Sequence, residues 1–181
     1  MTRKTTLEIV RLGHPALRAV SEPVTKTELR SRKFQKFLKQ LAKTCKQGDG
    51  VGIAAPQVGV NKRVIVVNIH ETSRYPDSSD TPAYRDIIVV NPKCHSCSTE
   101  RTEDWEGDLS SNLYGLVPRS VRCTVNGLNP DGEEVTYELE GFPARVFQHE
   151  IDHLDGVFLI DRVERKETIA EREMWEKFHL K

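Results

Sequence analysis

The pentapeptide at residues 149–153, His-Glu-Ile-Asp-His, constrains this chain more than any other segment, because it has the form His-Glu-x-x-His. Residues four apart lie on the same face of a helix. His149 and His153 can therefore bind one metal ion while Glu150 reaches the water on that ion. Apolar residues recur around the motif at the spacing of a helix: Phe147, Ile151, Leu154 and Phe158. The pattern predicts a helix that carries a metal site and ends near Gly156. The alternative is a charged, solvated helix face.

Length and charge exclude several classes of protein. The 181 residues suit a single domain over 1–181, with a C-terminal helix at about 164–179. The 27 basic and 27 acidic residues balance, so charge gives no reason to expect nucleic acid or an anionic membrane as a partner. Residues 1–10 lack the apolar stretch of a secretory signal, and no window approaches the ~20 apolar residues of a membrane span. We therefore expect a cytoplasmic protein, or an organellar one in a eukaryote.

The pattern of apolar residues indicates an α+β fold. Runs rich in β-branched residues predict four strands, at 63–68, 87–90, 122–126 and 134–139. The turn sequence at 129–132 predicts a hairpin between the last two strands. Apolar residues interleaved with lysine predict an amphipathic helix at 31–45. Residues 71–83 are polar and predict a surface loop. Strands in antiparallel runs, with helices toward the ends, favour α+β over alternating α/β.

A catalytic metal held by two histidines usually takes a third protein ligand. The residues that could supply it are Asp108, Glu106, Asp155, His14 and the cysteines Cys45, Cys94, Cys97 and Cys123. Spacing alone does not choose among them. Cys94 and Cys97 form a single Cys-x-x-Cys pair without a second pair at zinc-ribbon spacing. We expect a structural or incidental role for that pair.

The segment at residues 50–57, Gly-Val-Gly-Ile-Ala-Ala-Pro-Gln, is rich in small residues. It does not follow a predicted strand or open a helix, so a phosphate-binding loop is not indicated. Small residues let a backbone approach a ligand closely. The amide of Gln57, if it lies beside a metal, can donate to a developing oxyanion. The alternative is that Gln57 is an ordinary polar residue at the end of a loop.

Three segments together resemble the peptide deformylase family. The blocks of that family are Gly-x-Gly-Φ-Ala-Ala-x-Gln, Glu-Gly-Cys-Leu-Ser and Gln-His-Glu-x-Asp-His. This chain has counterparts in the same order at 50–57, 106–110 and 148–153, and the resemblance extends over about 7–163. It implies small antiparallel sheets around the central helix that carries the metal. It also implies a metal-dependent hydrolase that removes the formyl group from the N-terminal methionine of new polypeptides and releases formate.

The resemblance implies a role for each matching residue. His149 and His153 would bind the metal, and Glu150 would act as general acid and base. The Gln57 side chain and the Leu109 backbone N–H would stabilise the oxyanion. Four residues are expected to contact the substrate: Gly52, Ile53, Gly107 and Tyr114. The implied cofactor is one divalent metal ion, iron or zinc first, with nickel, cobalt and manganese as alternatives. The implied partners are a formyl-methionyl peptide or nascent chain and the ribosome.

One important position departs from the family, because Asp108 stands where the family has its cysteine ligand. A carboxylate is harder than a thiolate, yet it also binds zinc and iron. We therefore expect Asp108 to be the third ligand; the alternative is a lost ligand and weak metal binding. The stretch 108–119 is also about one residue shorter than usual, with Ser-Asn-Leu-Tyr at 111–114. Since this stretch borders the peptide groove in the family, a second function stays open: a repurposed or weakened paralogue that binds peptides or acts on another N-acyl amine.

Overall fold

A computed structural model of the chain describes residues 6–69 and 84–180. The loop predicted at 71–83 lies outside the described residues. The α-helices of the described part are α1 (Lys26–Arg30), α2 (Arg32–Gln47), α3 (Gly141–Leu154), α4 (Leu159–Arg162) and α5 (Arg172–Phe178). Its strands are β1 (Gly52–Ala54), β2 (Val64–Val67), β3 (Ile87–His95), β4 (Arg101–Glu106), β5 (Leu113–Ser120), β6 (Arg122–Leu128), β7 (Glu134–Glu140) and β8 (Ala170–Glu171).

The named strands pair into two antiparallel sheets, as the α+β prediction requires. The larger sheet has the order β1-β2-β3-β6-β7, and the smaller one has the order β4-β5-β8. The predicted hairpin joins β6 to β7, and Gly132 in its turn has a φ of +86°. A positive φ is a conformation that glycine adopts without steric cost. The sheets and α3 together position the candidate site.

The predicted metal-binding helix is α3, and it packs against the larger sheet. Its side chains Phe147, Ile151 and Leu154 are buried in one core cluster with residues of β2, β3 and β6. The helix ends at Leu154, two residues before Gly156, whose φ is +72°. A Cβ at Gly156 would lie 2.6 Å from the carbonyl oxygen of Arg18, so a larger residue does not fit there. The histidine motif therefore sits in the last two turns of a helix with a well-defined end.

The amphipathic helix predicted at 31–45 is α2. The side chain of Ser31 accepts a hydrogen bond from the Phe34 N–H at 3.2 Å, which caps the first turn. Leu38 and Leu41 on the apolar face pack against Ile53 and its neighbours on β1 and β2. The lysines lie on the opposite, exposed face. This packing fixes β1 and the segment that follows it.

The strand predicted at 87–90 is too short, because β3 continues through Asn91 and Pro92 to His95. The pairing with β6 is irregular between Val90 and Lys93, and Asn91 has a φ of +53°. The Asn91 side chain exchanges two hydrogen bonds with the Val24 backbone, at 2.8 and 2.9 Å. Proline is tolerated at such an irregularity because its missing N–H is not needed there. The strand therefore bends at these residues and does not end.

The single C-terminal helix predicted at 164–179 is also wrong, since only α5 is α-helical within that range. A 3-10 turn at Lys166–Thr168 and the strand β8 come first. β8 pairs with Leu113 and Tyr114 of β5, and the Arg172 N–H donates to the Asn112 carbonyl oxygen at 2.7 Å. These bonds require extended backbone, so a continuous helix cannot form. Within the described ranges, no helix is long and apolar enough to cross a membrane. The single domain over 1–181 stays a prediction.

Candidate metal centre

Three side chains converge where α3 meets the segment after β4. One ligand atom from each of Asp108, His149 and His153 lies within 4.8 Å of the others, and no other such group occurs in the described residues. The Nε2 atom of His153 lies 2.7 Å from Oδ2 of Asp108, and Nε2 of His149 lies 3.2 Å from the same oxygen. The side chains are 0%, 11% and 1% exposed for Asp108, His149 and His153 respectively. Of the predicted candidates for a third ligand, the structure brings Asp108 to the two histidines.

The second oxygen of Asp108 is held by donors on the other side. Oδ1 accepts hydrogen bonds from the Ser110 N–H at 2.6 Å and from the Gln57 side-chain amide at 3.1 Å. These bonds fix the orientation of the carboxylate and leave Oδ2 directed at both histidines. Orienting contacts of this kind are typical of metal ligands. A carboxylate with one oxygen held by donors and the other facing two histidines is oriented as a metal ligand must be.

The position of His153 is compatible with binding a divalent cation. Its Nε2 lies close to Asp108, yet the contact lacks hydrogen-bond geometry, and both ring nitrogens are buried without hydrogen-bond partners among the described residues. A buried polar atom without a partner is costly. A cation shared by His153, His149 and Asp108 would satisfy Nε2 and Oδ2 together. Two imidazoles and one carboxylate are also a ligand set of zinc hydrolases and non-haem iron enzymes.

The charges of the site favour an ionised carboxylate. Burial opposes the charged form of Asp108, but the attraction of His153 and the hydrogen bond from His149 outweigh it and hold the pKa of Asp108 well below its usual range. Burial likewise opposes a charged His149, but hydrogen bonds to Asp108 and Glu106 raise the pKa of His149 well above its usual value. An imidazole binds a metal only in its neutral form, so protons compete with a cation here.

Glu106 orients His149 and is not a third ligand. Its Oε2 lies 2.8 Å from Nδ1 of His149, which directs Nε2 of that ring toward Asp108. Arg119 and Arg145 form buried ion pairs with Glu106, at 3.0 and 2.8 Å. Burial alone would raise the pKa of Glu106, but Arg119 and His149 lower it below its usual range. The charge of the buried carboxylate is therefore compensated by two arginines.

Glu150 lies in the site with one oxygen unengaged. The residue is 4% exposed, and its Oε2 is buried without a hydrogen-bond partner in the described part of the chain. Burial raises the pKa of Glu150 to about 7. A group whose pKa lies near the working pH can both accept and donate a proton. A Cβ at Gly52 would lie 2.3 Å from Oε1 of Glu150, so the small residue at 52 is what gives the carboxyl its place.

Gln57 and Leu109 both adjoin Asp108. Gln57 is in the 3-10 turn Ala55–Val58 after β1, and its Oε1 accepts a hydrogen bond from the Ala54 N–H at 2.8 Å. This bond turns the amide nitrogen toward Asp108. The Leu109 side chain fills the space above Gly50, where a Cβ would lie 2.8 Å from its Cδ1. Both residues border the cavity at the candidate metal centre.

That cavity has a volume of about 230 Å³. The predicted site residues that line it are Gly52, Gln57, Gly107, Asp108, Leu109, Tyr114, His149 and Glu150. His153 lies behind them, almost fully buried. Ile53 does not line the cavity, because alternation along β1 turns its side chain into the core against α2. The structure therefore gives the Ile53 side chain no contact with a substrate in this cavity.

The other predicted candidates for a metal ligand lie elsewhere and have other partners. His14 caps a 3-10 turn by accepting from the Ala16 N–H at 3.2 Å, and Asp155 pairs with Arg63 at 2.7 Å. The sulfurs of Cys94 and Cys97 are 3.2 Å apart at the end of β3. The remaining cysteines, Cys45 and Cys123, are buried thiols. None of these residues joins the two histidines.

Several residues of the site were not predicted from the sequence. The cavity is also lined by Trp105, Phe142, Arg145, Val146, Arg172, Trp175, Glu176 and Leu180. The C-terminal end supplies four of them, Arg172, Trp175, Glu176 and Leu180, and the sequence predicts a helix there but no role in the site. The sequence signal for their role in the site was Trp175, a single tryptophan in a charged segment.

Known proteins match both the sequence and the fold. Residues 6–168 match the family described as polypeptide deformylase. The chain belongs to the peptide deformylase family. The peptide deformylase of Halalkalibacterium halodurans is 39% identical over an alignment of 171 positions that covers 87% of this chain and 90% of the relative. These matches confirm the family and the deformylase function that the sequence predicts, and they do not favour the repurposed paralogue.

Solved structures of the family confirm the fold. A Met-Ala-Ser-bound class I type b peptide deformylase from Acinetobacter baumannii is 36% identical, with a TM-score of 0.82, covering 87% of this chain and 98% of that chain. A peptide deformylase from Synechococcus elongatus in complex with actinonin is 30% identical, with a TM-score of 0.79, covering 97% of this chain and 89% of that chain. Members of the family are metalloenzymes, and the convergence of Asp108 with His149 and His153 supplies a matching candidate site here.

Proposed function

We propose that this deformylase works with one divalent ion bound by Asp108, His149 and His153, and that it hydrolyses the N-formyl group of formyl-methionyl peptides. The observation that carries the proposal is the orientation of Asp108. Its Oδ1 is held by Ser110 and Gln57, while its Oδ2 faces both histidines. A retired metal site has no need for this arrangement. Iron and zinc suit the ligand set first, with nickel, cobalt and manganese as alternatives.

When bound, the ion would supply Lewis acidity and lower the pKa of a water molecule toward neutrality. Glu150 is the base that takes a proton from the attacking water, because its Oε2 is unengaged and its pKa is about 7. The same carboxylic acid then donates that proton to the leaving amine, so that formate and a free N-terminus are released. One residue therefore serves both halves of the reaction.

The oxyanion that forms at the formyl carbon needs donors that are already in place. We assign this role to the Gln57 side-chain amide and the Leu109 backbone N–H. The amide of Gln57 is buried and fixed by its bond from Ala54. Leu109 directly follows Asp108, so its backbone N–H lies next to the proposed ligand. Gly52 and Gly107 let Glu150 and the Tyr114 ring lie directly against the backbone at the cavity.

The partner that follows from this activity is a nascent chain with a formylated methionine, and the ribosome is proposed as the place where the two meet. The reaction is accordingly placed in the cytoplasm, or in an organelle if the source is a eukaryote. Removal of formyl groups from a growing polypeptide requires no nucleic-acid contact, and the balance of 27 basic and 27 acidic residues gives no reason to expect one.

Formate release from a formyl-Met peptide by the purified protein, together with its metal content by elemental analysis, tests the proposal. We expect about one divalent ion per chain and formate release that stops on chelation and returns when iron or zinc is added. Protein that holds one ion per chain but releases no formate would contradict the proposal that formyl-methionyl peptides are the substrates. Protein that releases formate without a bound ion would contradict the mechanism.

The variant Asp108→Cys separates a natural carboxylate site from a weakened one. If the carboxylate is a full ligand, the variant is expected to bind metal and to change its metal preference toward softer ions. If Asp108 only weakens the site, the variant is expected to be more active than the wild type. An inert Asp108→Cys variant beside a wild type that hydrolyses a different N-acyl amine would instead support the repurposed paralogue.

A further inference from the structure

Two cysteine sulfurs are in contact in a part of the molecule that the proposed function does not use. The Sγ atoms of Cys94 and Cys97 lie 3.2 Å apart, and both residues are free cysteines. Cys94 is near the end of β3, and Cys97 lies two residues beyond that strand. We call these two residues the thiol pair. From sequence we expected a structural or incidental role for it, and the contact between the sulfurs adds a chemical one.

The backbone around the thiol pair holds the two sulfurs together. Ser96 has a φ of +49°, a left-handed conformation that is uncommon for residues other than glycine. The chain bends there, directly after β3. Cys94 is held by its pairing with β6, and the Ser98 N–H donates to the Arg122 carbonyl oxygen at 2.9 Å, just beyond Cys97. The fold therefore fixes the chain on both sides of the contact.

The two thiols differ in their access to solvent. Cys97 is exposed, whereas Cys94 is half-buried and packs against the core cluster that contains Ile151 of α3. Both cysteines line a second cavity, of about 380 Å³, which Gln148 and Ile151 also border. This cavity shares no lining residue with the cavity at the candidate metal centre. A small molecule can therefore reach the sulfurs without entering the metal centre.

A third thiol, Cys123, is hydrogen-bonded to Cys94 and is 3% exposed. This bond and burial raise the pKa of Cys94 above its usual range, and the same bond lowers the pKa of Cys123. Burial raises the pKa of Cys97 to about 11. Dithiols that catalyse redox reactions have a lowered thiol pKa. The thiol pair is therefore a target of oxidation and not the centre of an oxidoreductase.

Only a short movement separates the thiol pair from a disulfide. The sulfurs must approach by about 1 Å to reach the ~2.05 Å of an S–S bond. Rotation of the exposed Cys97 side chain about its Cα–Cβ bond supplies a movement of this size. Two reacting groups that the fold already holds in contact react with each other much faster than with separate molecules.

We propose that the thiol pair is a reversible modification site, which a small-molecule disulfide such as oxidised glutathione converts to a Cys94–Cys97 disulfide. The Cys97 thiolate attacks one sulfur of oxidised glutathione, whose S–S bond breaks, and one glutathione leaves with the proton that Cys97 gave up. Cys94 then attacks the Cys97 sulfur of the mixed disulfide. The second glutathione leaves and takes the proton of Cys94. Two protein thiols are thus oxidised, and one glutathione disulfide is reduced to two thiols.

The test incubates the reduced, full-length protein with excess oxidised glutathione and then counts free thiols after unfolding. The untreated protein has four thiols, and we expect the treated protein to have two. Its intact mass should fall by two hydrogens with no glutathione bound, and a peptide map should join Cys94 to Cys97. Dithiothreitol should restore all four thiols. Neither step uses the metal centre, so the outcome is independent of the proposed deformylase function.

Three variants separate the steps of the reaction. Cys94→Ser removes the second attacking thiol, so bound glutathione should accumulate on Cys97. Cys97→Ser should fold normally because Cys97 is exposed, and it should keep its remaining thiols free. Cys123→Ser is the matched control and should still form the Cys94–Cys97 disulfide.

Several results would overturn the modification site. One is a treated wild type that keeps four free thiols, and another is a wild type that keeps glutathione on Cys97 without closing the disulfide. A bond between Cys94 and Cys123 in the wild type, or its loss of thiols in Cys97→Ser, would show that the thiol pair is not the reacting unit.

Discussion

Glu106 accepts a hydrogen bond from Nδ1 of His149 at 2.8 Å, and this contact fixes which ring nitrogen faces Asp108. A histidine that binds a metal commonly donates its other N–H to a carboxylate. In this chain the carboxylate is itself held by two buried arginines, Arg119 and Arg145. The support of the site therefore extends from α3 through β4 and β5.

Glu106→Gln should weaken metal binding by about 10–100-fold, because the ring of His149 loses its anionic acceptor and keeps at most a neutral amide oxygen. The measurement is the affinity of the protein for zinc in a competition titration with a chelator. Glu103→Gln is the matched control: Glu103 lies on the same strand and forms an exposed ion pair with Arg165 at 2.9 Å. An unchanged zinc affinity in folded Glu106→Gln would contradict the orienting role.

Glu150→Gln should retain the metal and lose most of its activity. The substitution keeps the shape of the side chain beside Gly52 but removes the group that accepts and donates the proton, and general acid–base catalysis commonly contributes about 10²–10⁴-fold. Formate release per bound metal ion is the quantity to measure. Turnover within a factor of a few of the wild type would mean that another group carries the proton.

Gln57→Ala should lower kcat by about 10²–10³-fold, since one donor to the oxyanion is lost. Metal should still bind, because Oδ1 of Asp108 keeps its bond from the Ser110 N–H at 2.6 Å. The check is kcat for a formyl-Met peptide, measured on protein whose metal content has been determined. Near-normal turnover would rule out the proposed role of Gln57, and loss of metal would give it a role in positioning Asp108.

The sequence was most informative where a local pattern or motif determines the structure. The histidine pair and Glu150 follow from helical spacing, and α2 and the β6–β7 hairpin follow from amphipathic periodicity and turn residues. The place of Asp108 came from the resemblance, since spacing left several candidates open. These elements depend little on distant parts of the chain.

Other features could not be predicted because they depend on distant partners. β4 has the sequence Arg-Thr-Glu-Asp-Trp-Glu and lies at the edge of its sheet, so it has no apolar alternation to mark it as a strand. The ion pairs of Glu106 join residues 13 and 39 positions away. The residues before α5 have helix-forming composition, yet pairing with β5 holds them in a strand. In each case tertiary contacts outweigh local preference.

Anomalous diffraction at the zinc edge, from crystals of the wild-type protein grown with zinc, tests the central claim most directly. We predict one strong peak at about 2.0–2.2 Å from Nε2 of His149, Nε2 of His153 and Oδ2 of Asp108. A peak bound by the histidines with Asp108 turned away, or no peak between these three residues, would contradict the account.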